Sequence, residues 1–211
     1  MATKQEEREE FSKAQKILTE EMKRGEFRPL YLFYGEEAYL LSYYKNIFVR
    51  AFSENEGINI HRVGEDLETK NLKDLAETLP FFSPYRLMLF DGKVFGKKKL
   101  GDDFVQYLKT SPESTVMVFL EEKMDKRSSF YKIVKERGLI LPCVEQDSAF
   151  LQKFALGILK KEGKEIARPE MQELLQRTGS NMFRIQTECQ KLAAFLGEET
   201  VVTLESIDTC L

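Results

Sequence analysis

The sequence predicts an α/β protein: a parallel five-stranded sheet flanked by helices, followed by a small helical bundle. Three observations carry this. Short apolar runs recur along the first two thirds of the chain, most of them unbroken by polar residues, as strands covered on both faces are. Between them, apolar residues fall at i, i+3 and i+4, the period of a helix. After about Glu145 the runs stop and the helical period continues alone.

In chain order, residues 4–23 read as a charged leading helix with a thin apolar side of Phe11, Ile17, Leu18 and Met22. Residues 30–34 (Leu-Tyr-Leu-Phe-Tyr) form the first strand, ended by Gly35, and Tyr39, Leu40, Tyr43, Tyr44, Ile47 and Phe48 mark the next helix. The alternating residues 58–63 predict a second strand, and Leu72, Leu75, Ala76 and Leu79 a helical face stopped before Pro80. Residues 87–90 are a third strand, stopped at Asp91-Gly92; Phe104, Val105 and Leu108 suggest a short helix; residues 116–120 are a fourth strand. A helix over 130–136, ending at Gly138, leads to the fifth strand, 139–141. Asp147 or Ser148 then caps a helix running to Lys161. Pro169 suits the first turn of the next helix, closed by Gly179. A third follows over 181–196, residues 201–203 are extended, and 204–210 start a fourth. The expected division is 1–146, with 1–28 as its leading helical segment, and 147–211. A sheet strand between Phe150 and Leu196 would contradict it.

Composition narrows the function classes. The 211 residues carry 32 Lys+Arg against 35 Asp+Glu, a net charge of −3, with 42% hydrophobic and 32% charged residues. That is ordinary globular composition and excludes collagen-like, disordered and disulfide-scaffold classes. No apolar run approaches the roughly 20 residues of a membrane span, and the charged opening is no signal peptide. Cys143, Cys189 and Cys210 are odd in number and far apart, which suits reduced thiols in the cytoplasm. His61 is the sole histidine, so a histidine-based nucleophile pair or metal site has almost nothing to draw on; it reads as a polar residue on a strand. With charge near neutral, nucleic-acid binding requires a local patch.

An α/β domain followed by a small helical bundle is the layout of the AAA+ nucleotide-binding fold, so the phosphate loop is the decisive place. A P-loop needs G-x-x-x-x-G-K-[ST] after the first strand, so that backbone N–H groups, a lysine and a hydroxyl cradle phosphate and magnesium. Here the junction is Phe33-Tyr34-Gly35-Glu36-Glu37-Ala38-Tyr39, where lysine and hydroxyl are missing and two carboxylates would repel a nucleotide. ATP binding, catalysis, metal and cofactor are therefore not expected. Asp91 ends an apolar strand as a Walker B acid does, but without a cradle it reads as a turn residue. Glu121-Glu122 reads as solvated loop charge. Better binding signals lie elsewhere. Leu79-Pro80-Phe81-Phe82-Ser83-Pro84 puts large apolar side chains on a proline-stiffened helix end, which reads either as packing against the sheet or as an interface anchor. Lys97, Lys98 and Lys99, with Lys126 and Arg127 in Lys123-Met124-Asp125-Lys126-Arg127-Ser128-Ser129, are candidate DNA or partner contacts.

Residues 29–37 (PLYLFYGEE), 78–83 (TLPFFS), 114–119 (STVMVF) with Asp125-Lys126-Arg127, and in the helical part Arg177-Thr178-Gly179-Ser180-Asn181 with Glu188-Cys189-Gln190-Lys191-Leu192, together resemble the delta-subunit family of the bacterial DNA polymerase III clamp loader. The resemblance runs from about Pro29 to Leu211. It implies a AAA+-like fold without a working ATP site, in a protein that binds the sliding clamp (beta subunit) and holds its ring open for loading onto primed DNA. Clamp contact would fall to Leu79, Phe81 and Phe82. The implied partners are the clamp, the tau/gamma and delta prime loader subunits, and DNA through the assembled complex, in a cytoplasmic, nucleoid-associated replisome. The subunit would have no catalysis of its own within a nucleotidyltransferase holoenzyme. Family members also carry a C-terminal collar domain that this stretch is expected to lack. The alternatives are a degenerate AAA+ NTPase and a DNA-binding module of a replication or repair complex.

Overall fold

The computed structural model describes residues 3–53, 57–63, 69–91 and 100–211. In chain order the first elements are α1 (Lys4–Arg24), β1 (Leu30–Tyr34), α2 (Ala38–Ala51), β2 (Ile60–Val63), α3 (Thr69–Glu77), β3 (Arg86–Asp91), α4 (Asp102–Tyr107), β4 (Thr115–Glu121), α5 (Ser129–Arg137) and β5 (Gly138–Pro142). The strands form the expected five-stranded sheet, in the order β2-β3-β4-β1-β5, and every pairing is parallel.

The unbroken apolar runs are explained by cover on both faces. All five residues of β1 are buried. Tyr31 and Phe33 meet Phe48 and Tyr44 of α2, with ring centroids 4.7 and 5.1 Å apart, and Phe11 of α1 closes on Tyr44. Leu30, Leu32 and Tyr34 join the opposite core, where Phe90 and Phe119 stack at 4.4 Å beneath residues of α3, α4 and α5. Each large apolar side chain so buried contributes about 1.5–3 kcal/mol.

Several helix starts are closed by the side chains that sequence patterns favour. Thr3 and Glu6 form a capping box on α1, and Ser128 caps α5 through the Tyr131 amide. Gly138 ends α5 as expected, its amide donating to the Val134 carbonyl, and is at the same time the first residue of β5. A Cβ there would lie 2.1 Å from the Leu30 carbonyl oxygen, so close approach to β1 requires glycine at this position.

The chain divides into compact units at Val144 and Glu145. The second contains α6 (Ser148–Lys161), β6 (Glu165–Ile166), α7 (Arg168–Thr178), α8 (Met182–Leu196), β7 (Val201–Val202) and α9 (Leu204–Cys210). Asp147 caps α6 by accepting from the Phe150 amide at 2.8 Å. Leu159, Leu174, Ile185, Cys189 and Leu192 are among the residues fully buried between its helices. One expectation is corrected here: a strand does occur between Phe150 and Leu196. It is the two-residue β6, paired in parallel with β7 and not with the five-stranded sheet. Two residues are too few for a period-2 pattern, and its stability comes from partners far along the chain, including the buried Lys164 Nζ, which donates to the Gly197 and Glu199 carbonyls.

Candidate functional site

At the carboxyl ends of the strands, where open α/β sheets usually bind ligands, the turn after β1 is closed in on itself. Gly35 sits at φ +142 with its amide on the Glu121 carbonyl at 3.0 Å. The Glu37 amide donates to the Cys143 carbonyl at 3.0 Å, and the Glu37 carboxylate caps α2 by accepting from the Tyr39 amide at 3.1 Å. Amides that a phosphate loop would aim at a ligand are thus engaged within the chain. A cleft of about 480 Å³ beside this turn is lined by Glu36, Asp91, Glu121 and Glu122, with Lys45 as the cation among its lining residues. Asp91 ends β3, as read from the sequence, and in addition forms an ion pair with Lys45 of α2. Glu121 is not solvated loop charge, because it ends β4 and is only 4% exposed, while Glu122 is exposed. Among the described residues, no group of three or more His, Cys, Asp or Glu is arranged to hold a metal.

At the opposite edge of the sheet the chain leaves α3, turns, and enters β3. Leu79, Phe81 and Phe82 stand 80%, 54% and 83% exposed on that turn. The two phenyl rings pack edge to face with centroids 4.3 Å apart, so the apolar surface they present is one body. Phe82 has φ +50, a left-handed conformation rare in a residue with a Cβ. The turn is tied down from below. Asn59 accepts from the Phe81 amide at 2.7 Å and donates to the Phe81 carbonyl at 2.8 Å. Arg86 Nη1 donates to the Thr78 carbonyl at 2.6 Å, and Thr115 Oγ1 to the Ala76 carbonyl at 2.7 Å. Tyr85 closes the turn, its ring edge-on to Phe27 at 5.5 Å. His61 contacts the Arg86 guanidinium; burial and that neighbouring charge hold its imidazole below its ordinary pKa.

Asn59, Arg86 and Thr115 were not singled out from the sequence. Arg86 and Thr115 start β3 and β4 and Asn59 stands just before β2, but nothing along the chain says that the three strands are neighbours in that register. The basic candidates separate. Lys97, Lys98 and Lys99 lie outside the described residues. Lys126 is engaged within the fold: its ammonium bonds Glu7 of α1 at 2.9 Å and lies over the Tyr34 ring. The Arg127 side chain is 92% exposed, beside Asp125.

The family model for DNA polymerase III, delta subunit, matches residues 31–144, just over half of the chain. DNA polymerase III subunit delta of Bacillus subtilis (strain 168) is 27% identical over 200 residues, covering 88% of this chain and 57% of that protein. The probable DNA polymerase III subunit delta of Aquifex aeolicus (strain VF5) is 23% identical over 189 residues, covering 84% and 53%. Among solved structures, the Bacillus subtilis DNA clamp loader delta protein superposes with a TM-score of 0.69 at 25% identity, over 92% of this chain and 61% of that one. The Thermotoga maritima RuvB Holliday junction branch migration motor gives 0.62 at 12% identity, over 96% and 67%, a likeness of fold alone. The chain thus spans little more than half the length of the curated relatives it matches.

Proposed function

Since the chain belongs to the DNA polymerase III delta-subunit family, we propose that it is a clamp-loader component that grips the sliding clamp and favours its open ring. Leu79, Phe81 and Phe82 are the gripping residues. The observation that carries this reading is a rigid, mutually packed apolar pair held out in solvent by buried polar side chains. Fixed aromatic anchors of this kind supply most of the energy of protein interfaces. Ring opening needs no bond chemistry in this subunit. It needs only tighter contact with the open form than with the closed one, because a ligand shifts an equilibrium by its differential affinity alone.

On this reading the nucleotide-driven steps and any catalysis belong to partner subunits of the loader and holoenzyme, and the closed turn at Gly35 to Glu37 is consistent with that. The protein works in the cytoplasm, reaching DNA through the assembly. Among the described residues, no helix is long and apolar enough to cross a membrane. Arg127 remains the described candidate for a phosphate contact; Arg127→Ala should then flatten the salt dependence of DNA affinity in the assembled loader by about one counterion.

The test is a clamp-binding titration. Phe82→Ala should lose about 2 kcal/mol or more, roughly thirtyfold in affinity, with the melting temperature nearly unchanged. A Phe81→Ala, Phe82→Ala double variant that folds and binds the clamp like the wild type would remove the assignment.

A further inference from the structure

We infer that Asn59, Arg86 and Thr115 are positioning residues for the clamp-gripping turn, forming one rung across the starting edge of the sheet; the inference rests on the clamp-binding reading of Leu79, Phe81 and Phe82. The rung follows from register. Ile60 pairs with Leu87, which sets Asn59 beside Arg86, and Arg86 pairs with Thr115. Backbone bonds from the Leu87 amide to the Asn59 carbonyl, 2.7 Å, and from the Arg86 amide to the Ser114 carbonyl, 2.9 Å, lock these neighbours together. All three side chains then reach the same short stretch of chain, at Ala76, Thr78 and Phe81.

Each uses a different capacity. The last carbonyls of a helix have no partner within the helix; that of Ala76, in the last turn of α3, receives one from Thr115, and that of Thr78, just past the helix, from Arg86. Asn59 offers an acceptor and a donor to one residue, pairing with the Phe81 backbone as a neighbouring strand would. Leu79 and Pro80 are held between the Arg86 and Asn59 ties, and Pro80 fixes one more backbone angle. Phe82, just past the second tie, is left in its left-handed conformation.

Two costs meet on this turn, and they separate a positioning role from a stabilising one. Arg86 is 3% exposed, its guanidinium bonded to the neutral Thr78 carbonyl and His61, and its Nε has no partner. A buried cation held by neutral partners costs stability where an apolar residue would not. Backbone strain at Phe82 adds to that. Strain tolerated beside an exposed binding surface marks preorganisation, which raises affinity by ordering the surface before it binds.

Sliding-clamp association and dissociation rates are measured for Asn59→Ala, Arg86→Met and the Phe81→Ala, Phe82→Ala double variant, at a temperature where melting curves show each fully folded. Asn59→Ala should weaken clamp binding about tenfold, mostly through slower association, because only a fraction of molecules then holds the binding-competent turn. Arg86→Met should weaken it about fivefold without lowering the melting temperature, a combination that a purely structural role does not give. Where Asn59→Ala does not fold, Thr115→Val, which removes one hydroxyl at equal size, replaces it with a smaller loss expected. Wild-type affinity in the folded rung variants, with binding lost in the double variant, overturns the rung and leaves the clamp reading intact. Wild-type affinity in the double variant overturns both. A rung defect that appears only when the measurement is repeated at temperatures within the melting transition, and is absent where the variant is fully folded, shows a stability effect and overturns the inference.

Discussion

The two edges of the five-stranded sheet use similar materials to opposite ends. Where β1, β3 and β4 finish, the turn bonds within the chain: Gly35 and Glu37 amides on neighbouring carbonyls, the Glu37 carboxylate on its own helix, Lys45 on Asp91. Where β2, β3 and β4 begin, polar side chains at and just before the strand starts hold the next segment outward, and its apolar residues face solvent. The fold family's usual ligand edge is therefore the self-contained one, and the opposite edge presents the surface. In this protein the difference lies in how the terminal hydrogen bonds are used, not in the topology.

Four substitutions test the contrast, from the largest effect to the smallest. Gly35→Ala should be the most damaging, because a Cβ would lie 2.1 Å from the Cys143 carbonyl oxygen at a backbone angle suited to glycine. A loss of about 3 kcal/mol or more is expected in urea unfolding, with clamp affinity of the folded fraction unchanged. Phe82→Ala should do the converse, leaving the urea midpoint in place while clamp affinity falls roughly thirtyfold. If either variant moved both quantities together, the edges would not be independent.

His61 supplies a smaller effect. Its folded pKa lies below the ordinary 6.5, through burial and the Arg86 charge, so the unfolded chain takes up its proton first. The contribution of neutral His61 is fully present above that ordinary value and is lost as pH falls through it toward the folded pKa. The wild-type urea midpoint should therefore drop more between pH 7 and pH 5 than that of His61→Gln, and equal drops would show that His61 is not perturbed. Smallest of all is Lys45→Met. Its ion pair with Asp91 is part-exposed on both sides, so a loss of about 1 kcal/mol or less is expected, shrinking further in high salt.

The sheet was legible because burial on both faces leaves no polar position in runs such as residues 30–34 and 116–120, and the start of α6 was legible because Asp147 caps through its own short side chain. The pattern of adjacent aromatics beside prolines leaves core packing and an exposed anchor both open; the clamp assignment of Leu79, Phe81 and Phe82 comes only with the family resemblance, and the structure adds that they are exposed. Other features depend on partners distant in sequence. Glu121 looks like loop charge until β4 is seen to extend through it. The pairing of Glu165–Ile166 with Val201–Val202 has no local pattern at all. Asn59, Arg86 and Thr115 act together only because β2, β3 and β4 lie side by side in one register, and register is a property of the folded sheet.

In the second unit, the β6–β7 ladder is the seam of a closed loop: the Glu165 amide bonds the Thr200 carbonyl at 2.7 Å, and everything from α7 through α8 lies between the joined ends. Opening that seam means separating segments on either side of two helices, so it cannot fray one residue at a time as a helix end does. In amide hydrogen exchange, the Glu165 proton should therefore be retained about as long as those in the middle of α8, its release reporting cooperative opening of the whole unit.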